Sequence, residues 1–263
     1  MIHVSVITIN YNNLGGLEKT MPSVINQGYA HVEYIVIDGG SHDGSKAFIE
    51  KNKEALSYWV SEKDKGVYHA MNKGIEKASG DYLLFLNSGD YLLYNNCIEK
   101  IFSTGPTADI LFGNLLTSRG EIIYPDKPGF TFFFRDSVGH PASFIRKTLF
   151  NKYGMYNEAY SIISDWEFFL KVIIKHKVAV HHIKEAITYY DISGMSNNPA
   201  NIVKQLQERS EVLGEYFPVY YNEVLESFND MEKELNNYKN SRAIGLLQTV
   251  MKTGFYKSLL GKK

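Results

Sequence analysis

Polar residues stand where the apolar runs of this chain give way to turns: Thr8 and Asn10 at the end of the first, Asp38 after the second, Asp64 after a third, and Asn87 and Asp90 after a fourth. Carboxylates collected at one rim repel one another unless a cation, a ribose or a hydrogen-bonding base sits among them, so a rim built from these groups reads as a ligand site. An acid after the second strand of an α/β sheet accepts hydrogen bonds from ribose hydroxyls or from a base N–H. A separate acid, Asp165, lies in Ser164-Asp165-Trp166-Glu167, at a predicted helix start. The helix dipole favours a carboxylate there, and Ser164 is expected to cap. Trp166, Phe169, Leu170 and Ile173 give this helix an apolar face, so the acid is held on a rigid element.

The elements that must position these groups follow from hydrophobic pattern. Residues 3–9 are β-branched and alternating, and Asn10-Tyr11-Asn12-Asn13 ends the strand in turn formers. Leu17, Met21, Val24 and Ile25 recur at helical spacing, with Pro22 predicting a kink or a break into two short helices. A strand over 33–37 runs into a glycine-rich polar turn and a helix to about residue 52; a short strand over 58–60 and a helix from Val67 to Ala78 come next, the latter stopped by Gly80. Residues 82–86 are an uninterrupted apolar run, the pattern of a strand buried on both faces. Strand and helix alternating in this way predict a parallel sheet with right-handed crossovers, which brings all four strand ends to one edge. Ligands of open α/β sheets bind beyond that edge.

After Asp90 the pattern becomes mixed. A helix over 95–102 and strands near 109–114 and 121–124 predict a smaller antiparallel region, and the aromatic run 130–135 is read as core. Residues 140–145 read as a turn leading into a strand. Two strands are predicted over 178–183 and 186–190, with His181 and His182 on opposite faces, and then a polar loop over 191–199 fit to order over a phosphate. Helices are predicted from about 200 to 217 and from 219 to 238. Residues 242–263 are apolar on one side and carry Arg242, Lys252, Lys257, Lys262 and Lys263 with no acid, a composition suited equally to a packed helix and to an anionic membrane surface.

Bulk properties narrow the function classes. A net charge of −1 gives no overall pull toward nucleic acid. One cysteine, Cys97, forms no internal disulfide and supplies no metal-cluster spacing, which fits a reducing compartment, with the cytoplasm as the expected location. Met1 leads into a strand-like run without a secretory signal pattern, and no apolar stretch reaches the roughly 20 residues of a spanning helix. No G-x-G-x-x-G follows the first strand and no Walker lysine motif is present, which argues against dinucleotide binding and P-loop hydrolysis.

Taken in order, residues 5–12, 34–45, 62–74, Leu86-Asn87-Ser88-Gly89-Asp90 and Ser164-Asp165-Trp166-Glu167 give the chain a resemblance to glycosyltransferase family 2 over residues 1–200. The resemblance implies a GT-A fold, a Rossmann-like, mostly parallel α/β sheet with helices on both faces, a small antiparallel region and a C-terminal helical tail. Its domains would be a glycosyltransferase domain over 1–198 and a helical extension over 199–263. The implied activity is inverting transfer of a sugar, of hexosyl type, from a nucleoside diphosphate sugar, expected to be UDP-linked, to a hydroxyl of a glycan or lipid-linked acceptor in cell-envelope polysaccharide synthesis, with Mg or Mn as cofactor. The alternative is an inactive GT-A-like protein that binds a nucleotide or a partner; a sugar-nucleotidyltransferase is disfavoured because residues 10–16 carry no basic residue. Carried onto this chain, the family's motifs make Thr8, Asn10, Asp38, Asp64, Asn87 and Asp90 the donor-binding set, Asp90 the metal ligand and Asp165 the general base; the chemistry of a departing diphosphate adds Lys65 or groups of the 192–199 loop. His140 and Trp166 are candidates for the acceptor pocket. The chain departs from the family's Asp-x-Asp-Asp at Asn87-Ser88-Gly89-Asp90, where a glycine replaces the usual metal-binding carboxylate.

Overall fold

The computed structural model describes residues 1–239. Its chain divides into two compact units, the first Met1–Arg209, the second beginning at Ser210. In the first unit β1 (Val4–Asn10), α1 (Leu14–Ile25), β2 (Val32–Asp38), α2 (Ser45–Lys51), β3 (Tyr58–Ser61), α3 (Val67–Lys77) and β4 (Tyr82–Phe85) alternate as expected. Strands β1–β4 pair in parallel in the order β3-β2-β1-β4. Every residue of β1 and of β4 is buried, the consequence of covering both faces with helices. Helix α3 comes close to the sheet because residue 74 is glycine: a Cβ there would lie 2.4 Å from Ile7 Cγ2. Helix α1 runs through Pro22 as one helix, so the break into two short helices does not occur.

The chain continues through β5 (Tyr91–Leu92), α4 (Cys97–Phe102), β6 (Ile110–Thr117), β7 (Gly120–Ile122), α5 (Phe130–Arg135), β8 (Ser143–Arg146), α6 (Lys147–Tyr153), α7 (Ser164–Phe169) and β9 (Val180–Tyr189). The expected antiparallel region is continuous with the parallel half, because β8 enters the same sheet between β4 and β6 and pairs antiparallel with both. The two strands predicted over 178–190 are one strand: β9 runs parallel to β6 throughout, and register shifts around Asn114 absorb the polar residues that looked like a break. Of the aromatic run, only Phe133 is fully buried. Ser164 is not a cap; it is the first helical residue, and its buried hydroxyl has no partner among the described residues. Helix α7 passes directly into a π-helical turn, Leu170–Lys175.

Helix α8 (Ile202–Tyr216) spans the division between the units, and α9 (Pro218–Lys239) follows it in the second. Within the first unit, Glu208 accepts hydrogen bonds from Ser161 N (3.0 Å), Ser161 Oγ (3.0 Å) and Ile162 N (3.2 Å), which anchors the segment that leads into α7. None of the described helices is long and apolar enough to cross a membrane. The basic segment 242–263 lies outside the described residues.

Candidate active site

A cleft of about 1120 Å³ opens at the carboxyl ends of the parallel strands. Its lining includes Asn10, Asp64, Asn87, Asp90, His140 and Asp165, so six of the residues expected from sequence share one cavity. Thr8, Asp38 and Trp166, expected at the same site, are not on that lining, and all three side chains are buried. The Thr8 hydroxyl is buried against that of Tyr34, 3.0 Å away. Asp38 spends its carboxylate on the protein: Oδ1 accepts from Asn10 Nδ2 (2.7 Å) and Ser41 Oγ, and Oδ2 from Ser41 N (3.0 Å) and Ser61 Oγ (2.6 Å). Burial works against that charge, but these donors together hold the carboxyl below the ordinary carboxylate range. Asp38 thereby orients Asn10, whose Oδ1 is buried with no partner among the described residues. Trp166 points into the core, where its Nε1 donates to Phe133 O (2.9 Å) and Asp136 O (3.1 Å).

Helix α1 shapes the turn after β4. Asn13 Nδ2 donates to Ser88 O (2.8 Å), and Thr20 Oγ1 receives the Gly89 amide (2.9 Å). Gly89 has φ +113°, and a Cβ on it would lie 2.8 Å from Asp191 Oδ2. The place that a side chain at 89 would take is therefore filled by the carboxylate of Asp191, from the loop after β9. Asp90 Oδ1 accepts the Asp191 amide (2.9 Å). Burial pushes the Asp90 carboxyl up to about 7, with the Asp191 amide and His140 pulling the other way and the charge of Asp191 adding to the rise. Gly89→Ala is expected to cost about 1–3 kcal/mol, since it combines a positive φ with displacement of Asp191. A lowered midpoint in urea checks this; an unchanged midpoint contradicts it.

At the opposite wall, α7 presents Asp165. Its Oδ2 accepts from His140 Nδ1 (2.8 Å), and its Oδ1 lies 2.8 Å from the Tyr68 hydroxyl, which also lies 2.7 Å from Ile162 O and shares its one proton between them. His140 Nε2 is 3.1 Å from Asn87 Nδ2. Burial opposes the ionisation of Asp165, but the hydrogen bond and charge of His140 and the Tyr68 hydroxyl hold its carboxyl below the ordinary range. Burial likewise opposes a charge on His140, and Asp165 outweighs it, raising the imidazole above its usual value. Lys63 and Lys65 also belong to the lining, and Lys73 ties Asp64 in place at 2.6 Å.

A family model described as "Glycosyl transferase family 2" matches residues 5–114. An uncharacterized glycosyltransferase of Mycobacterium tuberculosis is 33% identical over 224 residues, which is 81% of this chain and 85% of the relative. The chain belongs to glycosyltransferase family 2. The fold is shared with TarS of S. aureus, solved as residues 1–349 in complex with UDP-GlcNAc, at TM-score 0.66 and 16% identity over 96% of this chain and 76% of that one. It is shared also with the mannosyltransferase PcManGT of Pyrobaculum calidifontis, solved with GDP-Man and Mn2+, at TM-score 0.65 and 14% identity over 98% of this chain and 81% of that one. The enzyme is thus a glycosyltransferase with a GT-A fold.

Sequence reasoning missed two residues that line this cleft and one that anchors a segment beside it. Tyr68, Asp191 and Glu208 come from α3, the loop after β9 and α8, and none was singled out for a role by motif or spacing. Among the described residues no three His, Cys, Asp or Glu side chains gather as metal ligands.

Proposed function

We propose that this enzyme transfers a sugar, with inversion, from a nucleoside diphosphate sugar to a hydroxyl of a glycan or lipid-linked acceptor. The observation that carries the reading is the meeting of Asn10, Asp64, Asn87 and Asp90 with Asp165 around one cleft. Asn10 Oδ1, buried and unpartnered among the described residues, is an acceptor waiting for a donor N–H or O–H, and Asp64 offers a carboxylate beside it on the lining. The lysines at 63 and 65 suit a diphosphate. A UDP-linked donor is the first choice and a GDP-linked one the second, each being bound by a protein of the same fold.

The acceptor hydroxyl attacks the anomeric carbon as a base removes its proton, and the nucleoside diphosphate leaves from the opposite side. Asp165, ionised and held on a helix, anchors the base function. Asp90 and Asp191 would hold Mg or Mn: such cations are commonly bound by one or two protein carboxylates together with substrate phosphates, and the space left by Gly89 lets the second carboxylate in. When bound, the cation neutralises charge on the departing diphosphate. The loop after Tyr190 lines the cleft through Met195 and Ser196, and its closure would keep water from the donor. Envelope polysaccharide synthesis at the inner membrane surface is the setting that the basic composition of 242–263 supports.

Incubating the full chain with UDP-GlcNAc, UDP-glucose, UDP-galactose and GDP-mannose, with Mn2+ or with EDTA, tests the reading. Release of the nucleoside diphosphate from at least one donor, faster with Mn2+, is expected. Failure to bind or cleave any nucleotide sugar would remove it.

A further inference from the structure

We infer that Tyr68 is the positioning residue of the base: its hydroxyl donates to Asp165 while that carboxylate is ionised, and turns to the carbonyl of Ile162 once the carboxylate has taken the acceptor's proton. The inference rests on the transferase reading above and gives a role to a side chain that reading leaves unused. Tyr68 is the second residue of α3, directly after the cleft-lining segment 63–66. Its ring is buried against Tyr156, with centroids 5.6 Å apart, and its hydroxyl reaches the segment that leads into α7. There the one O–H meets two acceptors at nearly equal distance, Asp165 Oδ1 at 2.8 Å and Ile162 O at 2.7 Å. Glu208 holds that segment in turn by accepting the Ile162 amide. A hydroxyl that only fastened α3 to this segment would need one acceptor, not two.

An ionised carboxylate is the stronger acceptor, so before the reaction the Tyr68 proton lies toward Oδ1. In the step, the acceptor O–H bond breaks and its electron pair forms the bond to the anomeric carbon. The bond from that carbon to the diphosphate oxygen breaks, and its pair departs with the diphosphate. The proton passes to the Asp165 carboxylate and later leaves to water. A neutral carboxyl accepts more weakly, so Ile162 O then takes the Tyr68 O–H, and no buried donor is stranded in either state. Burial and the Asp165 charge push the Tyr68 hydroxyl well above its ordinary value, so it keeps its own proton throughout. The other groups that face Asp165 are His140, which donates to Oδ2, and Tyr156, Tyr190 and Arg209, which feel its charge.

Tyr68→Phe keeps the ring and removes the hydroxyl. Asp165 loses a donor to its ionised form, so the acid limb of the kcat–pH profile is expected to move up by about one pH unit. On the plateau kcat should fall by about 10-fold as the carboxylate loses its fixed orientation, with the donor's Kd unchanged by titration calorimetry. A 3-fluorotyrosine at position 68, nearly the same size and a stronger hydrogen-bond donor, should move the limb the other way, down. Carbon-13 spectra of the aspartate-labelled chain follow the same titration without turnover, the Asp165 signal being the one lost in Asp165→Asn. An Asp165 titration and an acid limb that stay in place in Tyr68→Phe, with only the urea midpoint lowered, would make Tyr68 a structural tie and overturn the inference. Should Tyr68→Phe not fold, an unmoved titration in the fluorotyrosine protein overturns it equally. Absence of transfer from every donor by the wild-type chain would instead count against the parent reading, with the Asp165 titration still reporting on Tyr68.

Discussion

Asp165→Asn is expected to lower sugar transfer by about 10²–10⁴-fold while nucleotide-sugar binding persists. The substitution keeps the side chain's shape, and the residues proposed to bind the donor, Asn10, Asp64 and Asn87, are untouched. What changes is the hydrogen-bond set. The carboxylate faces two donors, Tyr68 Oη–H and His140 Nδ1–H, so an amide nitrogen meets one of them whichever way it turns. The imidazole loses both its orientation and the negative charge that stabilises its protonated form. The expected signature is therefore a fall in kcat with an unchanged donor Kd, measured by product release and calorimetry on the same preparation. Turnover at the wild-type rate would remove Asp165 from the chemistry altogether.

The second large effect concerns Trp166, one residue along the same helix, and it is an effect on folding. Trp166→Ala is expected to destabilise the protein by about 3–5 kcal/mol, as for other fully buried large side chains. The indole is 2% exposed, donates to two carbonyls from the α5 segment and lies under the Arg209 guanidinium at 4.9 Å. Removing it leaves a cavity, two carbonyl acceptors without their donor and an arginine without its aromatic face. Trp166→Phe fills most of the cavity and should lose much less. Urea midpoints of the three proteins give the comparison. A Trp166→Ala variant of full stability with a raised acceptor KM would restore the aromatic to the acceptor pocket.

That contrast shows how far residue type and spacing reach. Asp165 and Trp166 are adjacent, and residue type allowed Trp166 both the helix's apolar face and the acceptor pocket; the helix turns Asp165 to the cleft and Trp166 to the core. Asp38 makes the same point. Its position after the second strand was readable, but its side chain is consumed by Asn10, Ser41 and Ser61, and the group left facing the cleft is Asn10. The break predicted near residue 184 failed because charged residues on a bulged strand look like a turn until a neighbouring strand supplies the register.

By itself the sequence determined the alternation of strand and helix through residue 85, the collection of the strand ends at one rim and the placement of an acid at the start of α7. These are local properties: apolar periodicity, turn formers and motif order act over a few residues. Only the tertiary structure decided that Tyr68 and His140 flank Asp165, that Glu208 anchors the segment before it, and that Asp191 fills the space over Gly89. Each of those pairings joins residues 25 or more positions apart, and what selects a partner at such a distance is the packing of the sheet and its helices, which no short window of sequence records.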